Sequence, residues 1–226
     1  MKRLLIYGTG YLDVIKLIDA INRHQPAFEI IGFINDMADM QGRSFMGYPV
    51  LGGKEIIARW AKEKDVLFVN NINARIIDHK KIASVLEENA CGIASLIHPL
   101  IDMNYVEFGP GALIPEGCVV GGRVKIGHYF TCRLRSLISH DVTIGNFVYM
   151  GPGVTCCSFA AIGDDCFIGA GSVISPGVKI GADSVIGVGS VVINDIPGGV
   201  VAFGSPAKAV RDNREGEFII GGEKRA

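Results

Sequence analysis

One histidine in the chain is followed directly by a carboxylate, in the run Ile138-Ser139-His140-Asp141. Imidazole, with an unperturbed pKa of about 6.5, suits a general base that takes a proton from an attacking group near neutral pH. A neighbouring carboxylate can fix the ring's tautomer and stabilise the imidazolium that forms. Adjacent residues on a strand point to opposite sides, so this pairing requires that the two sit at a corner. A second candidate region is the turn Gly8-Thr9-Gly10 with the pairs Asn35-Asp36 and Asn70-Asn71, each of which follows an apolar run. Small backbone turns and polar side chains at such ends can receive a phosphate- or sugar-bearing ligand. Metal chemistry has no comparable signature. The six cysteines include no CxxC pair and no His/Cys cluster at zinc spacing.

The element that must position His140 is a repeat. From Phe108 to Pro197 the chain repeats every six residues, fifteen times without insertion, and every leading residue (Ile126, Ile138, Ile144, Ile162 and Ile180 among them) is apolar. The residue four further on is small or β-branched almost throughout, with Phe130 the bulky exception, and glycine follows the leading residue in nine of the fifteen units. A short fixed period is the signature of a β-solenoid, whose units cannot bury their apolar sides alone. Three strands per triangular coil give eighteen residues, hence five coils over 104–203, with glycines relieving crowding where the chain turns. In this frame the neighbours of His140 one coil away are Gly122 and Ser158, which leave room for a ligand beside the ring. His128 falls on another face, so it and His140 cannot share a metal ion. His98 reads as a linker residue, His24 and His79 as solvated residues in or beside helices. Cys118, Cys132, Cys156 and Cys166 fall on inward positions, where a reduced thiol behaves as a small hydrophobe.

The first hundred residues follow another pattern. Lys2 to Tyr7 reads as a strand, Leu12 to His24 as a helix, and Glu29 to Ile34 as a second strand. A linker rich in Met, Gly and Pro leads to a helix over Glu55 to Lys64. Asp65 to Val69 is a third strand, about Ala74 to Asn89 a helix, and Ile93 to Ile97 a last strand. This alternation predicts an α/β Rossmann-like domain over residues 1–98, the solenoid domain over 99–211 and a tail over 212–226. Ligands of such sheets sit at the carboxyl ends of the strands, where Gly8, Gly10, Asn35, Asp36, Asn70 and Asn71 lie. The third glycine of a dinucleotide fingerprint is replaced by Asp13, which favours a nucleotide or nucleotide-sugar over a dinucleotide; a purely structural turn with capping Asn and Asp is the alternative.

With 22 basic and 23 acidic residues there is no polyanion-binding signature, and no apolar run reaches spanning length, so neither nucleic acid nor membrane insertion is expected. The start reads as a first strand rather than a signal peptide, and the expected compartment is the cytoplasm.

The hexapeptide repeat and the closing run Gly204-Ser205-Pro206-Ala207-Lys208 resemble the left-handed β-helix acyltransferases. With an α/β domain ahead of the repeat, residues 2 to 211 resemble the sialic acid O-acetyltransferase and nucleotide-aminosugar N-acetyltransferase group, which includes the bacillosamine and perosamine enzymes. The resemblance implies left-handed coiling, a homotrimer, and acetyl-CoA as co-substrate between neighbouring β-helices. It makes His140 the catalytic base and Asp141 its orienting partner. It implies cofactor contacts at Ser158, Ala170 and Val188, with Lys208 a candidate for the phosphate end. The acceptor is then a nucleotide-linked aminosugar whose nucleotide binds the first domain, and attack on the thioester is direct, aided by a backbone N–H near Ser158.

Four departures bear on substrate. The first turn reads Gly8-Thr9-Gly10-Tyr11-Leu12-Asp13, bulkier than the family's. Tyr149 stands where relatives often carry a second His near the acetyl group. Arg133 replaces a common Asn, where it can favour an acidic sugar or pair with Asp141, and Ser158 replaces a glycine. The competing functions are O-acetylation of a sugar acid, with Arg133 binding the carboxylate, and a non-catalytic trimeric scaffold. Tyr129, Phe147 and Phe159 are expected to form an exposed association patch.

Overall fold

A computed structural model of the chain describes residues 1–72 and 75–213. It divides into two compact units, the first covering Met1–Ser95 and the second beginning at Leu96. Among the described residues no helix is long and apolar enough to cross a membrane.

The first unit is a five-stranded sheet of order β3-β4-β2-β1-β5, built from β1 (Lys2–Tyr7), β2 (Phe28–Ile34), β3 (Ser44–Phe45), β4 (Tyr48–Gly52) and β5 (Val66–Asn70). β4, β2, β1 and β5 run parallel, and β3 adds antiparallel to β4. Strand β1 lies between β2 and β5, and its run Leu4-Leu5-Ile6 is fully buried, as a strand covered on both faces must be. Helix α1 (Asp13–His24) turns Val14, Ile15, Leu17 and Ile18 inward. Helix α2 (Ile57–Trp60) places Ile57, and helix α3 (Ile76–Glu88) places Leu86, in a core with Leu5, Tyr7, Ile34 and Phe68.

Several boundaries differ from the sequence reading. The Met/Gly/Pro linker holds the β3–β4 hairpin, whose alternation is too short to show a period. The helix expected over Glu55 to Lys64 shrinks to a 3₁₀ turn at Lys54–Ile56 followed by α2. The start of the next helix at Ala74 lies outside the described residues. Ile93 makes a single bridge to Phe68, whereas Leu96–Ile97 pairs with Leu113–Ile114 and so opens the second unit, three residues earlier than expected. His79 is buried, not solvated, and desolvation pushes its pKa down to about 4, so it is neutral at neutral pH.

The second unit is a three-sided parallel β-helix. Its strands form three ladders, each called here after one residue. The Lys125 face runs Glu107–Phe108, Lys125–Ile126, Thr143–Ile144, Ala161–Ile162 and Lys179–Ile180. The Leu137 face runs Val119–Val120, Leu137–Ile138, Thr155–Cys156, Val173–Ile174 and Val191–Val192. The Tyr149 face carries Thr131–Cys132, Tyr149–Met150, Phe167–Ile168 and Val185–Ile186, and ends in Val200–Gly204 paired antiparallel with Ala207–Asp212. That last strand ends at Asp212, the first residue of the expected tail; residues 214–226 lie outside the described part.

The register is the eighteen-residue coil: Ile126 pairs with Ile144, Ile144 with Ile162, and Ile162 with Ile180. Leading aliphatics and small residues alternate inward, and even the bulky Phe130 is fully buried. Buried hydroxyls at the small positions find carbonyls, as Ser136 donates to Gly151 O at 3.0 Å and Ser184 to Pro197 O at 2.9 Å.

Where a glycine follows the leading residue it relieves crowding at the turn, as expected, but it is not the residue that turns the chain. The left-handed corner is carried two residues later, often by non-glycine residues such as Arg123, Asp141 and Phe159, with φ between 57° and 64°. The glycine instead allows coils to stack closely. A Cβ on Gly121 would lie 2.6 Å from His140 N. All six cysteines are free thiols. Burial pushes Cys156 and Cys166 up to about 12, which makes them inert core residues.

Candidate active site

His140 and Asp141 occupy the corner between the Leu137 and Lys125 faces, in the turn between Leu137–Ile138 and Thr143–Ile144. The left-handed conformation of Asp141 (φ 59°) turns its side chain to the same side as that of His140. His140 Nδ1 and Asp141 Oδ2 are 2.6 Å apart. A carboxylate only accepts, so Nδ1 carries the proton and Nε2 keeps a lone pair. The His140 side chain is half exposed and that of Asp141 is 20% exposed, so the imidazole faces solvent while the carboxylate is partly sheltered.

Arg123, one coil earlier at the corner position of Asp141, closes the group. Its Nε donates to Asp141 Oδ1 and its Nη2 to Oδ2, both at 2.6 Å. The Arg123 fork, followed by the His140 bond, holds the Asp141 carboxyl down at about 2. One coil later Phe159 packs against the imidazole, perpendicular to it at 5.3 Å between centroids. Ser158 stands beside His140, its hydroxyl 2.8 Å from that of Ser139. On the other side Gly122 leaves open space, since a Cβ there would meet nothing within 4 Å.

The sequence places His140, Asp141, Gly122 and Ser158 at one corner, as the structure does, but gives Arg123 and Phe159 no part in it. The signal was present: both lie eighteen residues from Asp141, the length of one coil.

The structure does not bring the remaining solenoid residues to this corner of the chain. Tyr149 lies on the next face, buried and stacked on Phe167 at 5.0 Å, with the Arg133 guanidinium 5.6 Å from its ring centroid. Arg133 therefore meets Tyr149, and the cation on Asp141 is Arg123. Ala170 and Val188 occupy a different corner, between the Tyr149 and Leu137 faces, and Lys208 is exposed on the final antiparallel strand. The aromatic patch is also not formed. Tyr129 is buried and stacks on Phe147 at 5.0 Å at the corner between the Lys125 and Tyr149 faces, whereas Phe159 stands at the His140 corner. A left-handed corner residue points along its own edge, so rings twelve residues apart land on different edges. Among the described residues no group of three or more His, Cys, Asp or Glu is placed to hold a metal ion.

In the first unit, the strand ends carry a set of fixed polar groups. Asp36 accepts the Tyr7 hydroxyl at 2.6 Å and the Lys54 N–H at 2.7 Å. Burial and the Asp36 carboxylate push the Tyr7 phenol above its ordinary range. Asn35 donates to Thr9 Oγ1 at 2.9 Å. Gly8, with φ 98°, leaves no room for a Cβ against Ile72, whereas Gly10 faces open space. Asn70 and Asn71 are buried and tie backbone together: Asn70 donates to His79 O at 2.9 Å, and Asn71 to Gly8 O and Tyr11 O at 3.1 Å each.

Residues 159–194 match the bacterial transferase hexapeptide model, with six repeats. A mutant of perosamine N-acetyltransferase from Caulobacter crescentus, solved with CoA and GDP-perosamine, is similar at a TM-score of 0.83, 23% identity and coverage of 94% of this chain and 98% of that one. The acetyltransferase domain of PglB from Neisseria gonorrhoeae has a TM-score of 0.83 at 22% identity, covering 93% of this chain and 100% of the other. WeeI from Acinetobacter baumannii has a TM-score of 0.78 at 26% identity, over 93% and 100%. No curated protein matches by sequence. The likeness is one of fold, and with the repeat and the parallel ladders it fits a left-handed β-helix.

Proposed function

We propose that this hexapeptide-repeat protein is an acetyl-CoA-dependent acetyltransferase acting on the amino group of a nucleotide-linked aminosugar. The observation that carries the reading is the His140–Asp141 pair at an exposed corner, with the proton on Nδ1 and open space at Gly122. The acceptor amine approaches there and attacks the thioester carbonyl. His140 Nε2 takes the proton that the amine loses, and ionised Asp141 stabilises the imidazolium. The tetrahedral oxyanion accepts from the Ser158 N–H, for which no acceptor is found among the described residues. Collapse expels the thiolate of coenzyme A, which takes up the proton. No covalent acyl-enzyme is needed.

Acetyl-CoA runs past Ser158. Ala170, Val188 and Tyr149 contribute to the same cofactor only from a second copy of the chain, because in one chain they lie on other edges. Lys208 is the cationic candidate for the phosphate end. Homotrimeric assembly is supported by an outward apolar stripe on the Leu137 face, formed by Val119, Leu137 and Val173, continued at the next corner by Leu134 and Val188. Arg133 is engaged with Tyr149, so the sugar-acid reading loses its carboxylate partner at His140. The neighbours in complex with CoA and GDP-perosamine support the choice of acceptor class. A thiol-release assay with acetyl-CoA and a panel of nucleotide-linked aminosugars tests the function. Release with none of them, against turnover of a free sugar acid, would replace N- by O-acetylation.

The acceptor's nucleotide binds the first, Rossmann-like unit at Gly8, Gly10, Asn35 and Asp36, with Asn70 and Asn71 shaping the turn. Asp36→Ala is expected to weaken acceptor binding by about tenfold or more, the scale of a lost hydrogen bond to a charged group. Coenzyme A affinity should not change. Calorimetry in which Asp36→Ala abolishes coenzyme A binding would overturn this division of labour.

A further inference from the structure

We propose that Arg123 is a positioning residue of the proton-transfer pair, holding the Asp141 carboxylate in place with its guanidinium fork and tempering that carboxylate's pull on the imidazolium with its charge. The proposal rests on the reading of His140 as the base.

The geometry is that of a relay seen from its far end. Asp141 has two oxygens and three donors to serve. Oδ2 receives both His140 Nδ1 and Arg123 Nη2, and Oδ1 receives Arg123 Nε, all at 2.6 Å. A lone carboxylate at a half-open corner can rotate about its Cβ–Cγ bond and leave Nδ1. A bidentate fork fixes the carboxylate plane, because both oxygens must stay opposite two parallel N–H groups. The solenoid makes the fit possible. Arg123 and Asp141 hold the same left-handed corner position one coil apart, with φ 57° and 59°, so their side chains project from adjacent rungs of one column.

Stability does not explain the pair. The Arg123 side chain is 72% exposed, and exposed ion pairs add little to folding. Nor is Arg123 tied elsewhere by a side-chain contact among those described; its backbone N–H donates to Tyr105 O at 2.8 Å. The other charged or titratable groups near this corner are few. The Tyr105 phenol precedes Arg123 by one coil and is almost fully exposed, and Lys125 pairs with Glu107 at 3.7 Å on the Lys125 face. The Leu137 face presents Val119, Leu137 and Val173, and the next coil presents the half-buried Cys157 thiol with Ser158 and Phe159, none of them a cation or a carboxylate. Asp141 therefore answers chiefly to Arg123 and His140.

Two variants separate fork from charge. Arg123→Gln removes both, and Arg123→Lys keeps the charge without the fork. The readouts are an NMR titration of the His140 ring in the full chain, the pH profile of acetyl transfer, and the melting temperature. In Arg123→Gln the His140 midpoint and the acid limb of the profile should move up together by roughly half to one unit, because Asp141 is no longer neutralised. In Arg123→Lys the midpoint should stay near wild type. Both variants should lose about tenfold in kcat with an unchanged KM for acetyl-CoA and unchanged melting. An unmoved midpoint and wild-type rate in Arg123→Gln, with His140→Ala inactive, overturns the proposal alone. Near-normal turnover of His140→Ala overturns the base assignment and the proposal with it.

Discussion

Replacement of His140 by Ala is expected to cut acetyl transfer by ~10²–10⁴-fold, the usual contribution of a positioned general base. Folding should be nearly unaffected, because the His140 side chain is half exposed and its main contacts are Asp141 and the edge of Phe159. Asp141→Asn should cost less, since the imidazole remains. The pH profile identifies which group is read. A base is active when unprotonated, so the rate is lost as pH falls through the titration of His140. Asp141, held down at about 2 by Arg123 and His140, stays ionised throughout that range and cannot produce the limb. Stopped thiol release across pH in the wild type and both variants measures all of this. A His140→Ala enzyme with near-normal turnover on the true acceptor would remove the residue from the mechanism.

The solenoid was legible because its constraint repeats. Each inward position is tested fifteen times, and Ile126, Ile144, Ile162 and Ile180 fall into one ladder as counted. The corner demanded by the His140–Asp141 pairing is there too. What was not legible is the use of the outward positions. Pairing with Asp141 is one of the two roles open to Arg133 in the sequence, whereas the fold pairs residues by multiples of eighteen, which selects Arg123. The same arithmetic separates Ala170 and Val188 from His140, since thirty and forty-eight residues are not whole coils. In the first unit the long buried strands were readable, but Ser44–Phe45 and Tyr48–Gly52 were not. A two-residue strand has no period, and Met46-Gly47 turns it by left-handed conformations that non-glycine residues rarely announce. Asn70 and Asn71 lie at the strand end that was expected, yet they are buried and hold backbone, because a sheet edge also needs polar ties.

The second large effect lies in the core beneath the site. Ile144 is three residues past Asp141, buried, and stacked between Ile126 and Ile162 in the middle coil. Ile144→Ala is expected to destabilise the second unit by about 2–5 kcal/mol, the sum of lost transfer energy and the cavity that remains. The rigid ladders on both sides limit collapse into that cavity, which favours the upper part of the range. Ile144→Val removes one methylene and should cost about 0.5–1.5 kcal/mol. Phe108 offers the contrast. It opens the same ladder on the first coil, has only Ile126 as a ladder neighbour, and is 43% exposed, so its truncation should cost less than that of Ile144 despite the larger side chain. In a solenoid each rung contacts only its neighbours, so damage spreads locally. Hydrogen exchange should show lost protection in Ile144→Ala on the rungs from Lys125 to Ile162, which include the His140 corner, and in Phe108→Ala only near the first coil. Activity should then fall with Ile144→Ala as the melting point is approached, while Phe108→Ala keeps it. Equal melting temperatures for Ile144→Ala and Phe108→Ala would mean that the middle ladder does not support the site in this way.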